Sequence, residues 1–514
     1  MIRIHSYLHR QKMLWVFALT LLTPCLQQAR AANGGLKIRL AQKGLEYGKE
    51  FGLQMLTSML MKERIEDISG SYSFPLYGIV HYSVSGIQIK HLHVNHSTVA
   101  FVEGKGLSLN IQNAEFMLSG TWNLSTRHET GTVDISIKQL SLFTLLGLDR
   151  DDRGRPDVWY ADCHSSIGDL DVTFHGQSSW LYNIFAIGLK GMLRSEVNKE
   201  LCAEVERGIY ELAHSLRTMR VSTQIDSLAA IDYSLVNKPD VGVDRCDVDL
   251  RGEFFPVRKF FVHALLPVPP FHLPNQSDSM LLLAISDFIL NSAASVYFKA
   301  GALWVNITDN MIPKGVHFRL HTKNMGMLIP ELKMHFPDMA MEVLLAARKQ
   351  PVFSFHPGSL DTTIFGSAEF FVVLPNARRV SVFLLNVYIS LTGQVYLEEV
   401  KSENSLGKVG GSLAMKKFHL ELEKSNIGDI KVMHLEKLLK LFSPLALSKV
   451  NRNLKRGVIL PSIGGASVMN PKVTMHEGYM QIATDLHLQL PPTSTSRPST
   501  EESPSTTDTW VVID

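Results

Sequence analysis

The chain has 514 residues, 45% of them hydrophobic and 19% charged, and its 51 basic and 49 acidic side chains leave a formal net charge of +2. Near-neutrality excludes a nucleic-acid binder built on a strongly basic domain and a globally cationic, membrane-disrupting protein. High apolar content at low charge suits a large core with apolar surface left to line a cavity, and the length suits two domains or one elongated tandem.

The first segment reads as a leader. His5, His9, Arg10 and Lys12 form a basic lead-in, and residues 13–26 are an apolar stretch shorter than the ~20 residues a membrane span requires. Ala29-Arg30-Ala31 supplies the small-x-small pattern of a cleavage site. Residues 1–31 are therefore predicted to be a signal peptide, cut after Ala31 or Ala32, and the protein to be secreted and extracellular. Later on, residues 280–298 come closest to a membrane span, but Ser286, Asp287, Asn291 and Ser292 interrupt them.

Residues 41–62 carry an apolar stripe at Gly44, Tyr47, Phe51, Met55 and Met59, widened by Leu45, Leu53, Leu56 and Leu60. That spacing predicts an amphipathic helix. The period then changes to two over 86–94, 107–111, 133–137 and 170–174, as in antiparallel strands with one wet and one buried face. Helical spacing returns over 180–216 and holds for about ten turns. A Pro-rich connector follows, with Pro267, Pro269, Pro270 and Pro274 fixing an extended backbone. The second half repeats the order: a helix over 281–299, strands over 302–307, 366–374, 380–391 and 411–422, and a last helix over 434–455. The fold class is thus α+β, a tandem of two similar modules. The first spans 32–250, a linker 251–279 and the second 280–490, before a Pro/Ser/Thr-rich tail at 491–514 that is too poor in apolar residues to fold.

Cys25 leaves with the leader, so Cys163, Cys202 and Cys246 remain. An odd count in a secreted chain implies one bridge and one leftover thiol. Cys163 and Cys202 bracket a strand-like segment and most of the second helix, which reads as a disulfide stapling helix to sheet. Cys246 reads as the idle thiol. Sequons at Asn95, Asn123, Asn275 and Asn306 mark candidate glycosylation sites.

Motifs of catalysis are missing: there is no Gly-x-Ser-x-Gly elbow, His-Glu-x-x-His pair or phosphate-cradling glycine loop. The protein is read as a non-enzyme without cofactor or metal. His91, His93 and His96 read as a solvated strand end rather than a zinc site. Asp149-Arg-Asp-Asp-Arg-Gly154 reads as a polar hairpin loop, lacking the alternating ligands and closing Glu of a calcium loop. The wide helical stripes are the substantive signal. Glycines at 44, 48, 52, 188 and 191 run along them and leave room for a long apolar guest such as an acyl chain. Tyr47, Phe51 and Met55 on the first helix, with Leu189 and Met192 on the second, are the candidate lipid-binding residues.

Several stretches resemble the bactericidal/permeability-increasing and lipopolysaccharide-binding protein family. They are Gly35-Leu-Lys-Ile-Arg-Leu-Ala-Gln-Lys-Gly-Leu-Glu-Tyr47, Ile225-Asp-Ser-Leu-Ala-Ala-Ile-Asp-Tyr-Ser-Leu235, Asp309-Asn-Met-Ile-Pro313, Leu420-Glu-Leu-Glu-Lys-Ser-Asn-Ile-Gly428 and Lys449-Val-Asn-Arg-Asn-Leu-Lys-Arg-Gly457. The resemblance covers nearly all of the chain after the leader, and Cys163 and Cys202 fall where the family carries its disulfide. It implies a boomerang of two barrel modules, each a twisted antiparallel sheet with two long helices, joined by a central sheet. It also implies one phospholipid-sized apolar pocket per module.

The chain departs from the family at one place. Endotoxin-binding members carry a Lys/Arg-dense hairpin at the first barrel's tip. Here the segment is Ser119-Gly-Thr-Trp-Asn-Leu-Ser-Thr-Arg-His-Glu-Thr-Gly131, which keeps Trp122 but offers only Arg127 and Glu129 as charges, and Asn123 adds a sequon. The neighbouring segment 62–67 is mixed in sign. Lipid A phosphates need clustered cations, so the expected partner is a phospholipid or other amphipathic lipid, held by its acyl chains. One alternative is an innate-immune, antibacterial protein that binds lipopolysaccharide or a membrane surface through other cations such as Arg348, Lys349, Arg378 and Arg379. Another is a lipid-transfer protein acting on lipoprotein particles. Nucleic acid is not an expected partner.

Overall fold

The computed structural model describes residues 33–61, 64–65, 67–74, 78–124, 129–176, 179–257, 268–274, 278–312, 318–400, 405–461 and 466–488. The leader, the tail, Arg127 and Asn275 lie outside them. Four helices of ten residues or more are described: α1 (Gln42–Leu60), α2 (Ser179–Arg217), α3 (Asp287–Lys299) and α4 (Val432–Arg456). Among the described residues no helix is long and apolar enough to cross a membrane.

The first module is an antiparallel sheet in the order Arg64–Ile65, Gly78–Val102, Gly106–Leu124, Glu129–Arg150, Pro156–His175, with Ile68–Phe74 also paired to Gly78–Val102. The alternating segments expected as strands lie inside these long strands. Their inward residues Ile111, Ala114, Trp122, Val133, Ile137, Leu170 and Val172 form one buried core. Leu53 of α1 and Val197 and Leu201 of α2 pack against it. Trp122 is buried, its indole Nε1 donating to the carbonyls of Thr132 and His175, so it braces the tip from within. Cys163 and Cys202 are joined, with Cα atoms 5.7 Å apart, so the strand and α2 are covalently stapled. In the chain-entropy picture a loop of this size constrains the unfolded chain by about 4 kcal/mol.

The second module's sheet runs Trp304–Ile307, Ala340–Ala347, Ser359–Val373, Arg379–Glu398, Ser405–Ser425, Val458–Pro461, with Val352–His356 added on Ser359–Val373. Its core gathers Leu332, Met341, Val372, Val382, Phe383, Leu385 and Leu435. The α4 helix is fixed to the sheet by polar contacts. The Asn451 side chain accepts from the Leu413 N–H at 2.7 Å and donates to the Leu413 carbonyl at 2.8 Å.

Two sequence expectations need correcting. Residues 281–299 are not one helix: Leu281–Ser286 is a strand, and α3 follows with no break in the apolar pattern. Leu282, Ala284 and Ser286 point to a buried face while the strand pairs on both sides, which only a sheet position satisfies. The first long helix of the second module is therefore only 13 residues. His91 and His93 sit mid-strand beside a bulge, not at a strand end, with rings stacked 6.2 Å apart. The loop after Arg150 is a hairpin as expected, the Asp151 carboxylate accepting from the Arg153 and Arg155 N–H groups.

A central six-stranded sheet joins the halves: Asp240–Val241, Arg245–Leu250, Leu36–Ala41, Leu281–Ser286, Tyr479–Leu488, Ala466–His476. It draws strands from both chain ends and both sides of the connector. Arg39, in its third strand, is buried. It grips Asp247 with two hydrogen bonds, 2.6 and 2.7 Å, and also donates to the Pro274 carbonyl. The connector is thus tied across the sheet. Phe271 and Leu273 bury against Leu282 and Ala284, Tyr479 donates its hydroxyl to the His272 carbonyl, and Lys37 lies over the Phe271 ring.

Cys246, opposite Leu40 in this sheet, is the free thiol and is buried with Leu45, Phe101 and Val241. Burial first, then the carboxylates of Asp247 and Asp240, push its pKa up to about 11.

Replacing Arg39 with Met should lower unfolding free energy by about 3 kcal/mol, the low end for breaking a buried pair, because Arg245 still reaches Asp247 at 3.3 Å. Urea titration with an unchanged slope would measure it, and a loss under ~0.5 kcal/mol would refute the assigned role. Cys246 should resist a thiol reagent at mildly alkaline pH until the protein unfolds. Its raised pKa favours folding below the unfolded thiol's ordinary value near 9, and that contribution should fade as pH climbs towards 11. Rapid labelling of the folded protein, or non-reducing peptide mapping that pairs Cys246 with Cys163 or Cys202, would contradict this arrangement.

Candidate functional site

The α1 helix carries two different faces. One is built into the first barrel: Leu45 belongs to the Phe101–Cys246 cluster, Leu53 to the barrel core, and Lys49 donates to the Ser97 carbonyl at 3.1 Å. Its residues recur every fourth position, as one face of a helix must. On the far side Tyr47, Phe51 and Met55 form a second stripe at the same spacing. All three are half-buried, and none belongs to either core cluster among the described residues. Gly48 and Gly52 lie beside this stripe, and a methyl group at either would meet no atom within 4 Å.

The start of α1 reaches the second half of the chain. Lys43 pairs with Asp485 at 2.7 Å, and Leu488 donates its N–H to the Tyr47 hydroxyl at 3.0 Å. Burial pushes the Asp485 carboxyl up, but Lys43 and the Met280 N–H outweigh it and hold the group below the ordinary carboxylate range. Gly44 is the close-approach point, where a Cβ would stand 2.6 Å from the Met280 carbonyl. The Tyr47–Phe51–Met55 stripe therefore starts at the junction between the central sheet and the first barrel. Leu189 and Met192 lie within α2, and their side chains are outside the described residues.

Between α1's barrel-side face and residues 92–97 runs an open groove of about 650 Å³, lined mainly by polar groups including Lys49, Gln54, Thr57, His93 and Asn95. Sequence reasoning missed it, although Lys49 and Leu53 at four-residue spacing marked the face that builds it. Asn95 is exposed at this groove and donates to the Asn113 carbonyl at 2.8 Å. Asn123 is exposed, whereas Asn306 is half-buried, donating to Glu342 at 3.0 Å and accepting from Arg379 at 3.2 Å.

The cations weighed as an alternative anion site are largely engaged. Arg379 pairs with Glu342 at 3.2 Å and stacks on Phe371, Arg348 reaches Glu423 at 3.5 Å, and Lys349 lies over Phe365. Among the described residues no group of three or more His, Cys, Asp or Glu side chains could hold a metal ion.

Two antiparallel modules sharing a central sheet, with a long helix stapled to the first barrel, define a two-domain, sheet-rich α+β architecture. Family models for the N-terminal and C-terminal domains of the LBP / BPI / CETP family match residues 44–219 and 223–488, and the chain belongs to that family. A bactericidal permeability-increasing protein of Sebastes schlegelii is 32% identical over 460 residues, 88% of this chain and 95% of that protein. A lipopolysaccharide-binding protein of Bos taurus is 31% identical, across 89% of this chain and 94% of its own length. The crystal structure of a lipopolysaccharide-binding protein, 28% identical, superposes with a TM-score of 0.58, covering 89% of this chain and 100% of that one.

Proposed function

We propose that this protein is a secreted, non-catalytic lipid carrier that shields phospholipid acyl chains along the Tyr47–Phe51–Met55 face of α1. The observation that carries the reading is that second apolar stripe. The barrel core is completed by the other face of the helix, so Tyr47, Phe51 and Met55 are not needed to fill it. Gly48 and Gly52 keep the space beside them open. Each methylene taken from water there is favoured by ~0.8 kcal/mol before ordering costs. Headgroups would stay near solvent, since the stripe carries no charge to pair a phosphate.

Lipopolysaccharide recognition is the second reading, supported by the relatives that carry that name. The described part of the first tip argues for weak binding. Its exposed residues include Asn123 and Thr130, and no cation stands on residues 119–124 or 129–131. Exposed charges act over about 8 Å at physiological ionic strength, so lipid A phosphates need a local cluster.

Solvent extraction and mass spectrometry of the purified protein should recover phospholipid, and Gly52→Leu, which fits sterically and raises helix propensity, should lower the yield without unfolding the chain. Equal lipid recovery from the variant would remove the slot from this face. Lipid A binding at physiological salt should be weak, and Asn123→Lys combined with Thr130→Lys should strengthen it. Tight, salt-insensitive binding by the unmodified protein would promote the second reading.

A further inference from the structure

The chain's modest charge is unevenly placed. The α4 helix holds six Lys or Arg residues (437, 440, 449, 452, 455 and 456) and one acid, Glu436, a net of +5. With the whole chain at +2, the remainder sums to 2 − 5 = −3. Positive potential is therefore concentrated on one helix of the second module.

The geometry keeps four of those charges outward. Leu435 is buried in the second core and Asn451 is tied to Leu413, which leaves Lys437, Arg452, Lys455 and Arg456 exposed. Lys455 lies 455 − 437 = 18 positions after Lys437, about five turns, so the two share a side of the helix. His434 and Arg452, also exposed, stand in the same relation. Among the described residues no carboxylate pairs with any of the four cations. Glu436 is already engaged by Lys440 at 2.7 Å and by His419 at 3.0 Å, contacts that hold its carboxyl below the ordinary range. On the strand beneath, Glu423 faces Arg348 and Glu421 accepts from the Tyr388 hydroxyl. Lys455 and Arg456 also complement the helix C-terminus, but Lys437 is five turns away from it and has no such role.

One exposed apolar group of the helix stands beside these cations. Met433, 61% exposed, precedes Lys437 by four positions and so lies about 40° from it around the axis, whereas Val450 lies on the opposite side from Arg452. Met334, 70% exposed, projects from a neighbouring short helix whose Leu332 shares the core with Leu435. Basic residues with an exposed methionine at their side on an amphipathic helix suit the interface of an anionic bilayer, where cations meet headgroups and a methionine reaches the acyl boundary. A soluble polyanion would use the charges and leave the apolar groups in water. We propose that the exposed face of α4 docks the second module on an anionic lipid surface. This site lies on the opposite module from the α1 stripe and does not depend on it.

The test is co-sedimentation of the full chain with vesicles of phosphatidylglycerol and phosphatidylcholine in equal parts, set against vesicles of phosphatidylcholine alone. The unmodified protein should bind the anionic vesicles and release as salt rises. Lys437→Gln, Arg452→Gln, Lys455→Gln and Arg456→Gln together should weaken that binding by roughly a hundredfold or more, since each surface cation is worth about fivefold. A matched variant of exposed lysines in the first module (Lys90→Gln, Lys105→Gln, Lys138→Gln, Lys199→Gln) should bind like the unmodified protein. Met433→Ser should weaken vesicle binding while sparing retention on a heparin column. Equal binding to both vesicle types, equal loss in the matched variant, or a helix variant that loses heparin but keeps vesicles would overturn the proposal. Unchanged thermal midpoints of the variants separate lost docking from lost fold.

Discussion

A buried arginine in the central sheet ties the start of the first module to its end and to the connector. Arg39 lies in the first described strand, and its guanidinium fork takes both oxygens of Asp247 from the adjacent strand. A buried charge tolerates little misplacement, because losing one partner leaves the other unsolvated. The same side chain reaches the connector carbonyl of Pro274. One residue thereby couples the chain start, the end of the first module and the link to the second. The placement of α1, which begins at Gln42 directly after this strand, follows from that alignment.

The α1 helix then converts alignment into a potential binding surface. A helix with one apolar face would be consumed by the barrel it packs on. This one divides its positions, with Leu45 and Leu53 inward and Tyr47, Phe51 and Met55 on the other side. The polar ties at its start, Lys43 to Asp485 and Leu488 to Tyr47, set the second stripe at the inter-module junction. The α4 helix divides its positions too, but its outward face is cationic. The α1 and α4 helices thus present opposite chemistries to the surroundings.

Much of this was legible in the sequence because periodicity reports the shape of an element directly. Residues 41–62 and 180–216 repeat at 3.6, and the structure places helices at Gln42–Leu60 and Ser179–Arg217. The pairing of Cys163 with Cys202 was equally readable, since of the three thiols left after the leader only these two bracket a strand and a helix. Residues 281–299 misled for a physical reason. A central strand buried in a sheet and an apolar helix present the same run of apolar residues, and no Gly or Pro separates Ser286 from Asp287. The connector's anchoring was also hidden. Proline content predicts stiffness, but the burial of Phe271 and Leu273 depends on a sheet whose strands come from distant parts of the chain. The two faces of α1 could be counted from spacing, whereas which of them the barrel would use could not.

The order of strands in the central sheet has a consequence for synthesis. Leu281–Ser286 pairs on one side with Leu36–Ala41, made early, and on the other with Tyr479–Leu488, made last. Tyr479 lies 479 − 286 = 193 positions beyond Ser286. At translation rates of ~5–20 residues per second, the Leu-Leu-Leu-Ala-Ile-Ser edge waits on the order of 10–40 s for its partner. Unpaired apolar edges of that kind invite pairing with other chains. The Phe271–Leu273 segment, which packs against Leu282 and Ala284 in the finished fold, is made just before this strand, so the cover for its apolar face precedes it from the ribosome.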